Sequence, residues 1–151
     1  ESFSIKNTII AMEKQLLPRA KANRVTFRVN IDEKLNYMVG DENRIKQVFL
    51  NILDNAFKFT DIDGFVEMNA YLKGAMIFID IIDNGVGIPS VDLPNVTEKF
   101  YKGKNSKSHS GIGLSIADEI VKLHGGTLTI ESEVGLGTKV SIALPFEEVI
   151  I

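Results

Sequence analysis

Apolar residues that recur every three or four positions predict three amphipathic helices in this chain. The first covers residues 5–16, and we expect Pro18 to bend or end it. The second begins after Asp41, its expected N-cap, and ends near residues 58–60. The third covers residues 114–123. The apolar face is clearest in the second helix, where it comprises Ile45, Val48, Phe49, Ile52 and Ala56.

Alternating apolar and polar residues, together with short apolar runs, predict the strands. They cover residues 25–31, 37–39, 65–72, 75–82, 127–132 and 138–144. Turn formers join the last four of these strands into two hairpins. Residues 85–111 carry little periodicity, and a stretch of this length without regular structure is usually functional. The order of elements predicts an α+β fold in which helices pack on one face of a mixed sheet.

The composition limits the chemistry that this chain can perform. With 151 residues, 44% of them apolar, the chain can form one domain with a sizeable core. The net charge of −3 argues against non-specific binding to nucleic acid. Cysteine is absent and only two histidines are present, which excludes disulfides and thiolate catalysis and argues against a zinc site. No apolar stretch approaches the length of a membrane span, and no secretory signal opens the chain.

Three polar residues of the second helix suggest a site for a metal and phosphate. Asn51, Asn55 and Lys58 share one face, because residues three and four apart lie side by side on a helix. Two carboxamide oxygens and an ammonium group suit a hydrated metal ion that carries phosphates. Taken alone, the two asparagines could equally be the polar flank of a surface helix.

A second polar cluster follows the apolar run of residues 76–82. Asp83 ends this run, and Gly85 and Gly87 come directly after it. A carboxylate at the end of a buried strand is costly unless a donor meets it. Glycines, in turn, let the backbone approach a ligand closely. Taken alone, Asp83 would more commonly be a turn former at a strand end.

Further features have ordinary explanations when each is considered alone. Gly111 and Gly113 precede the third helix and could offer amide groups to phosphate, but the P-loop and dinucleotide patterns are both missing. Gly135 and Gly137 suit a hairpin turn. We expect His124 to serve the C-terminus of the third helix. The joint occurrence of all these features, in this order, predicts a nucleotide pocket.

In five ordered segments the chain resembles the ATP-binding catalytic domain of bacterial sensor histidine kinases. Their Bergerat fold is shared by gyrase, a heat-shock chaperone and mismatch-repair ATPases. The segments are residues 51–60 (N box), 83–89 (first glycine box), 98–102 (F box), 111–114 with 123–126 (second glycine box and its helix) and 135–138 (final glycine box). The resemblance implies one catalytic and ATP-binding domain over residues 1–151, a two-layer α/β sandwich with a mobile ATP lid at about residues 92–110.

The resemblance assigns the polar residues to the parts of Mg·ATP. It implies that Asn55 coordinates Mg²⁺, that Asn51 lies beside the phosphates and that Lys58 contacts them, so that these three are the catalytic residues. Asp83 would accept a hydrogen bond from the adenine amine, and Gly87 would let the base approach the backbone. The other nucleotide contacts that it implies are Phe59, Gly85, Ile88, Tyr101, Lys102, Gly111, Ile112, Gly113, Leu114 and Thr138.

The same resemblance implies that the domain donates the γ-phosphoryl group of ATP to a histidine on a separate dimerisation and phosphotransfer domain of its parent kinase. A response regulator would be an indirect partner. The domain would be cytoplasmic and would contact neither nucleic acid nor membrane, even where the parent is an inner-membrane sensor. Asn51 favours transfer over hydrolysis, because the hydrolytic relatives carry a glutamate there and an asparagine amide cannot accept a proton from water. Neither His109 nor His124 has the acidic helical setting expected of the acceptor.

Two alternative functions stay open at this point. A serine kinase of the anti-sigma-factor type shares the fold and would act on a serine-bearing protein. A non-catalytic ATP-sensing module is suggested by three departures from the family pattern. Thr97 stands in place of the first phenylalanine of the F box, Lys102 in place of an arginine, and His109 where glycine is frequent.

Overall fold

The computed structural model describes residues 1–35, 37–86 and 113–145. Within these ranges the elements are β1 (Ser2–Ser4), α1 (Ile5–Ala22), β2 (Thr26–Ile31), β3 (Tyr37–Val39), α2 (Glu42–Phe59), β4 (Phe65–Lys73), β5 (Met76–Asp83), α3 (Gly113–Leu123), β6 (Thr127–Glu133) and β7 (Gly137–Pro145). All the predicted helices and strands are found, and β1 is additional. The lid expected at about residues 92–110 lies outside the described residues.

The main sheet has five strands in the order β2-β4-β5-β7-β6. β2 runs parallel to β4, and the other neighbouring strands are antiparallel. β1 and β3 form a separate antiparallel pair, in which Phe3 lies opposite Met38. The sequence pattern does not show β1, whose three residues directly precede α1 and pair with a strand that is distant in the chain.

One face of the main sheet is buried under the helices. Alternate residues of the central strands are excluded from solvent, as the two-residue period of a strand requires. These residues are Val66, Met68, Ala70, Ile77, Ile79, Ile81, Val140, Ile142 and Leu144. α2 packs on this face with Phe49 and Leu53 fully buried, and it contacts α1 and α3 on its flanks. The prediction of an α+β fold with helices on one face of a mixed sheet is therefore confirmed.

α1 continues through Pro18 and ends at Ala22, so the expectation that it could end at the proline is wrong. Leu16 and Ala20 are buried on either side of the proline, and their packing holds the last turn in place. The backbone N–H of Asn23 then closes the helix by donating to the Arg19 carbonyl at 3.0 Å.

Two hydrogen bonds fix the start of α2. Asp41 is its N-cap, as predicted, and its carboxylate accepts from the backbone N–H of Arg44 at 3.2 Å. The backbone N–H of Asp41 donates to Nε2 of His124 at 3.0 Å, and Nδ1 of the same ring donates to the Ile120 carbonyl at 2.9 Å. Because a backbone N–H can only donate and a carbonyl can only accept, Nε2 is the acceptor and Nδ1 the donor in these two contacts. The expected role of His124 at the end of α3 is confirmed, and the ring also joins α3 to α2.

Gly137 opens β7 directly against the end of β5. Its φ is +127°, and a Cβ at this position would collide with the carbonyl oxygen of Asp83. The close approach of β7 to Asp83 therefore requires glycine. Gly135, in the turn before β7, has a φ of +86°, but a Cβ there would meet no atom within 4 Å.

Replacing Gly137 by alanine should lower the free energy of unfolding by about 3 kcal/mol, because backbone strain and the collision both oppose the methyl group. Gly135→Ala adds only the strain and should lose about 1 kcal/mol. Urea denaturation followed by circular dichroism measures both values. Equal losses in the two variants would show that the contact between β7 and Asp83 does not need glycine.

Candidate functional site

The loop after β5 is held between the end of α2 and the turn between β6 and β7. The backbone N–H of Val86 donates to the Phe59 carbonyl at 3.1 Å, and the Val86 carbonyl accepts from the N–H of Gly135 at 3.0 Å. Gly85 lies so close to α2 that a Cβ would collide with the Phe59 carbonyl. These contacts place Asp83, two residues earlier, beside the last turn of α2. The two polar clusters found in the sequence thus lie in one region of the fold.

Asp83 is a buried carboxylate at the end of β5, with 8% of its surface exposed. Burial raises the pKa of Asp83 to about 6, although hydrogen bonds from the backbone amides of Gly85 and Thr138 act in the opposite direction. The Gly85 N–H lies 2.8 Å from Oδ1, and Thr138 is the residue opposite Asp83 in the ladder between β5 and β7. A carboxylate whose burial is so incompletely compensated is suited to accept a hydrogen bond from a ligand.

The polar face of α2 has the arrangement that the spacing predicts. Asn51, Asn55 and Lys58 lie on one uninterrupted helix, so their side chains leave neighbouring positions on its surface. All three are at least partly exposed, whereas Ile52 and Leu53 between them are buried in the core. The face therefore presents carboxamide oxygens, which are ligands that Mg²⁺ accepts, next to a cation that suits phosphate.

The ammonium group of Lys58 pairs with a carboxylate on its own helix. Its Nζ lies 3.0 Å from Oδ2 of Asp54, and Oδ1 of Asp54 lies 2.7 Å from Nη1 of Arg19 on α1. Burial, the largest single influence, raises the pKa of Asp54, but the hydrogen bonds and charges of Lys58 and Arg19 together lower it below its usual value. Sequence reasoning missed Arg19 and Asp54, because no local pattern shows that α1 and α2 meet at this point.

Asn84 belongs to the same sequence motif as Asp83 but has a structural role. Its Oδ1 accepts from the backbone N–H of Phe65 at 2.7 Å, and its own backbone N–H donates to the Phe65 carbonyl at 3.4 Å. Asn84 therefore ties the loop after β5 to the first residue of β4, which helps to hold Asp83 in place.

Of the other eleven residues that the resemblance assigns to the site, the structure describes five. Gly85 and Thr138 lie beside the buried carboxylate, Phe59 ends α2, and Gly113 opens α3. Leu114 is buried in the core of the protein. Six residues fall outside the part of the chain that the structure describes, namely Gly87, Ile88, Tyr101, Lys102, Gly111 and Ile112.

The chemistry of this donor set fits Mg·ATP. A buried carboxylate complements an amine, carboxamide oxygens complement a hydrated divalent cation, and an ammonium group complements a phosphate. Residues 1–35, 37–86 and 113–145 contain no group of three or more His, Cys, Asp or Glu side chains that could hold a metal ion. The role of Asn55 as metal ligand stays a prediction from the resemblance.

Comparisons with known proteins identify the family. Residues 40–148 match the family described as histidine kinase-, DNA gyrase B-, and HSP90-like ATPase, and the chain belongs to this family. It is 36% identical over 124 aligned residues to the signal transduction histidine-protein kinase ArlS of Staphylococcus epidermidis, and this alignment covers 80% of this chain and 27% of ArlS. It is 32% identical over 134 aligned residues to the sensor histidine kinase WalK of Bacillus subtilis, and this alignment covers 85% of this chain and 22% of WalK. The fold matches that of the mycobacterial sensor histidine kinase MprB with a TM-score of 0.86 and 27% identity, over 99% of this chain and 100% of that one.

These findings confirm the resemblance seen in the sequence. The chain is a catalytic ATPase domain of the histidine-kinase type, and its fold is the Bergerat fold. It spans about a quarter of the length of its curated relatives, with 28% and 24% in two of them. Among the helices of the described residues, none has the length and hydropathy that a membrane crossing requires.

Asp83→Asn should stabilise the nucleotide-free domain at neutral pH, because it removes a buried charge and keeps the shape of the side chain. Since folding raises the pKa of Asp83 from 3.8 to about 6, the stability contributed by this carboxyl is fully present below 3.8 and is lost as the pH rises through 6. We expect the variant to exceed the wild type by about 1–3 kcal/mol at about pH 7.5 and by little at about pH 4. Urea unfolding of both proteins across this range measures the difference, and a gap that does not change with pH would contradict it.

Proposed function

We propose that this domain binds Mg·ATP and donates the γ-phosphoryl group to a histidine on a separate dimerisation and phosphotransfer domain of the same parent kinase. A response regulator would then take the phosphoryl group from that histidine, and the domain would work in the cytoplasm. The observation that carries the proposal is the position of Asp83 beside the end of α2, held there by the two hydrogen bonds of Val86. It brings an acceptor for the base and a helix face for the phosphates into one region.

Asp83 would supply the selectivity for adenine. With Oδ1 already bonded to the Gly85 N–H, the buried carboxylate gains most from a ligand that donates a further hydrogen bond. The exocyclic amine of adenine is such a donor, whereas guanine presents a carbonyl oxygen there, which the carboxylate repels. Thr138 would frame the base from the neighbouring strand. Its hydroxyl is oriented by Ser132, whose Oγ lies 2.8 Å away.

The polar face of α2 would hold the phosphate end of the nucleotide. Asn55 would bind Mg²⁺ through its carboxamide oxygen, while Asn51 and Lys58 would lie beside the phosphates. When bound, Mg²⁺ neutralises charge on the phosphate groups, and Lys58 would add to this effect. Positioning and charge neutralisation are the main requirements of phosphoryl transfer. Asn51 cannot act as a general base towards water, which favours transfer over hydrolysis.

The serine kinase and the ATP-sensing module that the resemblance left open can be separated from this proposal by the chemistry of the product. Phosphohistidine is lost in acid and survives base, phosphoserine survives acid, and a sensing module forms neither. The domain is incubated with Mg·ATP and a dimerisation domain that carries the acceptor histidine, and the product is then treated with acid and with base. Acid-labile, base-stable phosphate supports this proposal, acid-stable phosphate favours the serine kinase, and an unlabelled product contradicts the proposal.

Asp83→Asn should weaken ATP binding about ten- to hundred-fold, because one charge-assisted hydrogen bond worth about 1.5–3 kcal/mol is lost. Calorimetric titration with Mg·ATP and Mg·GTP measures the affinity and the expected preference of the wild type for ATP. Asp80→Asn is a matched control, since Asp80 is also 8% exposed but lies on the opposite face of β5, bonded to Tyr71. It should leave ATP affinity unchanged. Equal ATP affinity in wild type and Asp83→Asn would rule out the adenine role.

Asn55→Ala should abolish phosphotransfer and weaken Mg·ATP binding by about ten-fold or more, while adenosine binding stays the same, because the lost oxygen contacts the metal and not the base. Titration with Mg·ATP and with adenosine separates the two effects. Asn43→Ala, at an exposed position in the first turn of the same helix, is the control and should have no effect on either ligand. Full phosphotransfer by Asn55→Ala would refute the metal role.

A further inference from the structure

We propose that Arg19 is a positioning residue for Lys58: it neutralises Asp54, so that the lysine can leave this carboxylate and bind the phosphates of the nucleotide. This inference rests on the proposed function, because it takes phosphate as the ligand of Lys58. Within the described part of the chain, α1 contributes no other residue to the candidate site. Through Arg19, this helix would influence nucleotide binding.

The three side chains form a continuous series of ion pairs between α1 and α2. Oδ1 of Asp54 lies 2.7 Å from Nη1 of Arg19, and Oδ2 lies 3.0 Å from Nζ of Lys58. One carboxylate thus serves two cations, each through its own oxygen. The exposed fractions are 37% for Arg19, 35% for Asp54 and 30% for Lys58. At this depth the attraction exceeds that between fully solvated charges, yet it is weak enough to be exchanged for a stronger partner.

Arg19 is fixed by more than its ion pair. Its guanidinium lies over the ring of Phe57, 5.6 Å from the centroid, and cations are attracted to the face of an aromatic ring. Phe57 is itself buried and packs edge-on against Phe27, with ring centroids 5.3 Å apart. This second contact favours the arginine remaining at Asp54 when Lys58 moves away.

Lys58, by contrast, has a suitable direction in which to move. Its side chain is 30% exposed, so it borders solvent. At 3.6 residues per turn, Lys58 projects from α2 roughly 40° from Asp54, on the side of Asn51. Rotation about its flexible stem is enough to carry the ammonium group from Asp54 towards the face that would hold the phosphates.

The charge balance explains why Arg19 matters for this exchange. If Asp54 had no second partner, departure of Lys58 would leave a partly buried carboxylate unpaired beside a polyanionic triphosphate, and both circumstances are unfavourable. Asp54 pairs with both cations, at 2.7 Å from Arg19 and 3.0 Å from Lys58, so its carboxylate still needs a counter-charge when the lysine moves away. Arg19 supplies that counter-charge after Lys58 has left.

The test is calorimetric titration of the whole chain with Mg·ATP and with adenosine. Arg19→Met removes the charge and keeps a side chain of similar length over Phe57; it should raise the Kd for Mg·ATP about three- to ten-fold and leave that for adenosine unchanged. Lys21→Met makes the same change of charge at an exposed position in the last turn of α1 and should change the Kd less than about two-fold. In an Asp54→Asn background, the effect of Arg19→Met should shrink to that of Lys21→Met.

Each other outcome overturns the proposal in a recognisable way. An equal effect of Arg19→Met with and without Asp54 would mean that Arg19 attracts the phosphates directly. A parallel loss of adenosine affinity would mean that the substitution distorts the pocket. If the wild type binds Mg·ATP and Arg19→Met binds it equally well, only this inference fails. If the wild type does not bind Mg·ATP, the proposed function fails as well.

Discussion

The burial of one face of α2 against the sheet is the constraint on which the rest of the structure depends. Phe49 and Leu53 are completely excluded from solvent, in the same core as the inward residues of β5. Because a helix is rigid, fixing its apolar face also fixes the direction of every other face. Asn51 and Asn55 are therefore oriented by the packing of their neighbours. The hydrophobic effect is not directional, but burying one face of a rigid helix fixes the direction in which the polar side chains of its other faces point.

The buried carboxylate of Asp83, the other part of the candidate site, is by itself unfavourable for the stability of the fold. Asp83 follows inward-facing isoleucines on β5, and its place in the ladder opposite Thr138 prevents the carboxylate from moving out to water. The raised pKa of Asp83 is the physical sign of that position. Local departures from the rules that stabilise a fold are expected at functional sites, where the surrounding structure compensates for them. Here the compensation comes from the ladder and from Asn84, which anchors the loop to β4.

Polar contacts join α1 to both ends of α2. Near the start of α2, Thr8 Oγ1 donates to a carboxylate oxygen of Glu42 at 2.8 Å. Near its end, Arg19 pairs with Asp54 at 2.7 Å. Between these two points the helices share apolar residues of the core. α1 therefore does more than cover the core. The positive charge of Arg19, near its end, is part of the electrostatic environment of α2.

The sequence by itself determined the type and approximate extent of the helices and of all strands but β1. It also determined the shared face of Asn51 and Lys58, and the family. Periodicities and short ordered motifs are local properties of the chain, which is why the sequence was enough for these results. Only the tertiary structure decided that α1 continues past Pro18, that Val86 joins two parts of the site, and that Arg19 pairs with Asp54. Each of these depends on contacts between residues far apart in the sequence. The raised pKa of Asp83 belongs to the same class, because burial is a property of the packed fold and not of the residue.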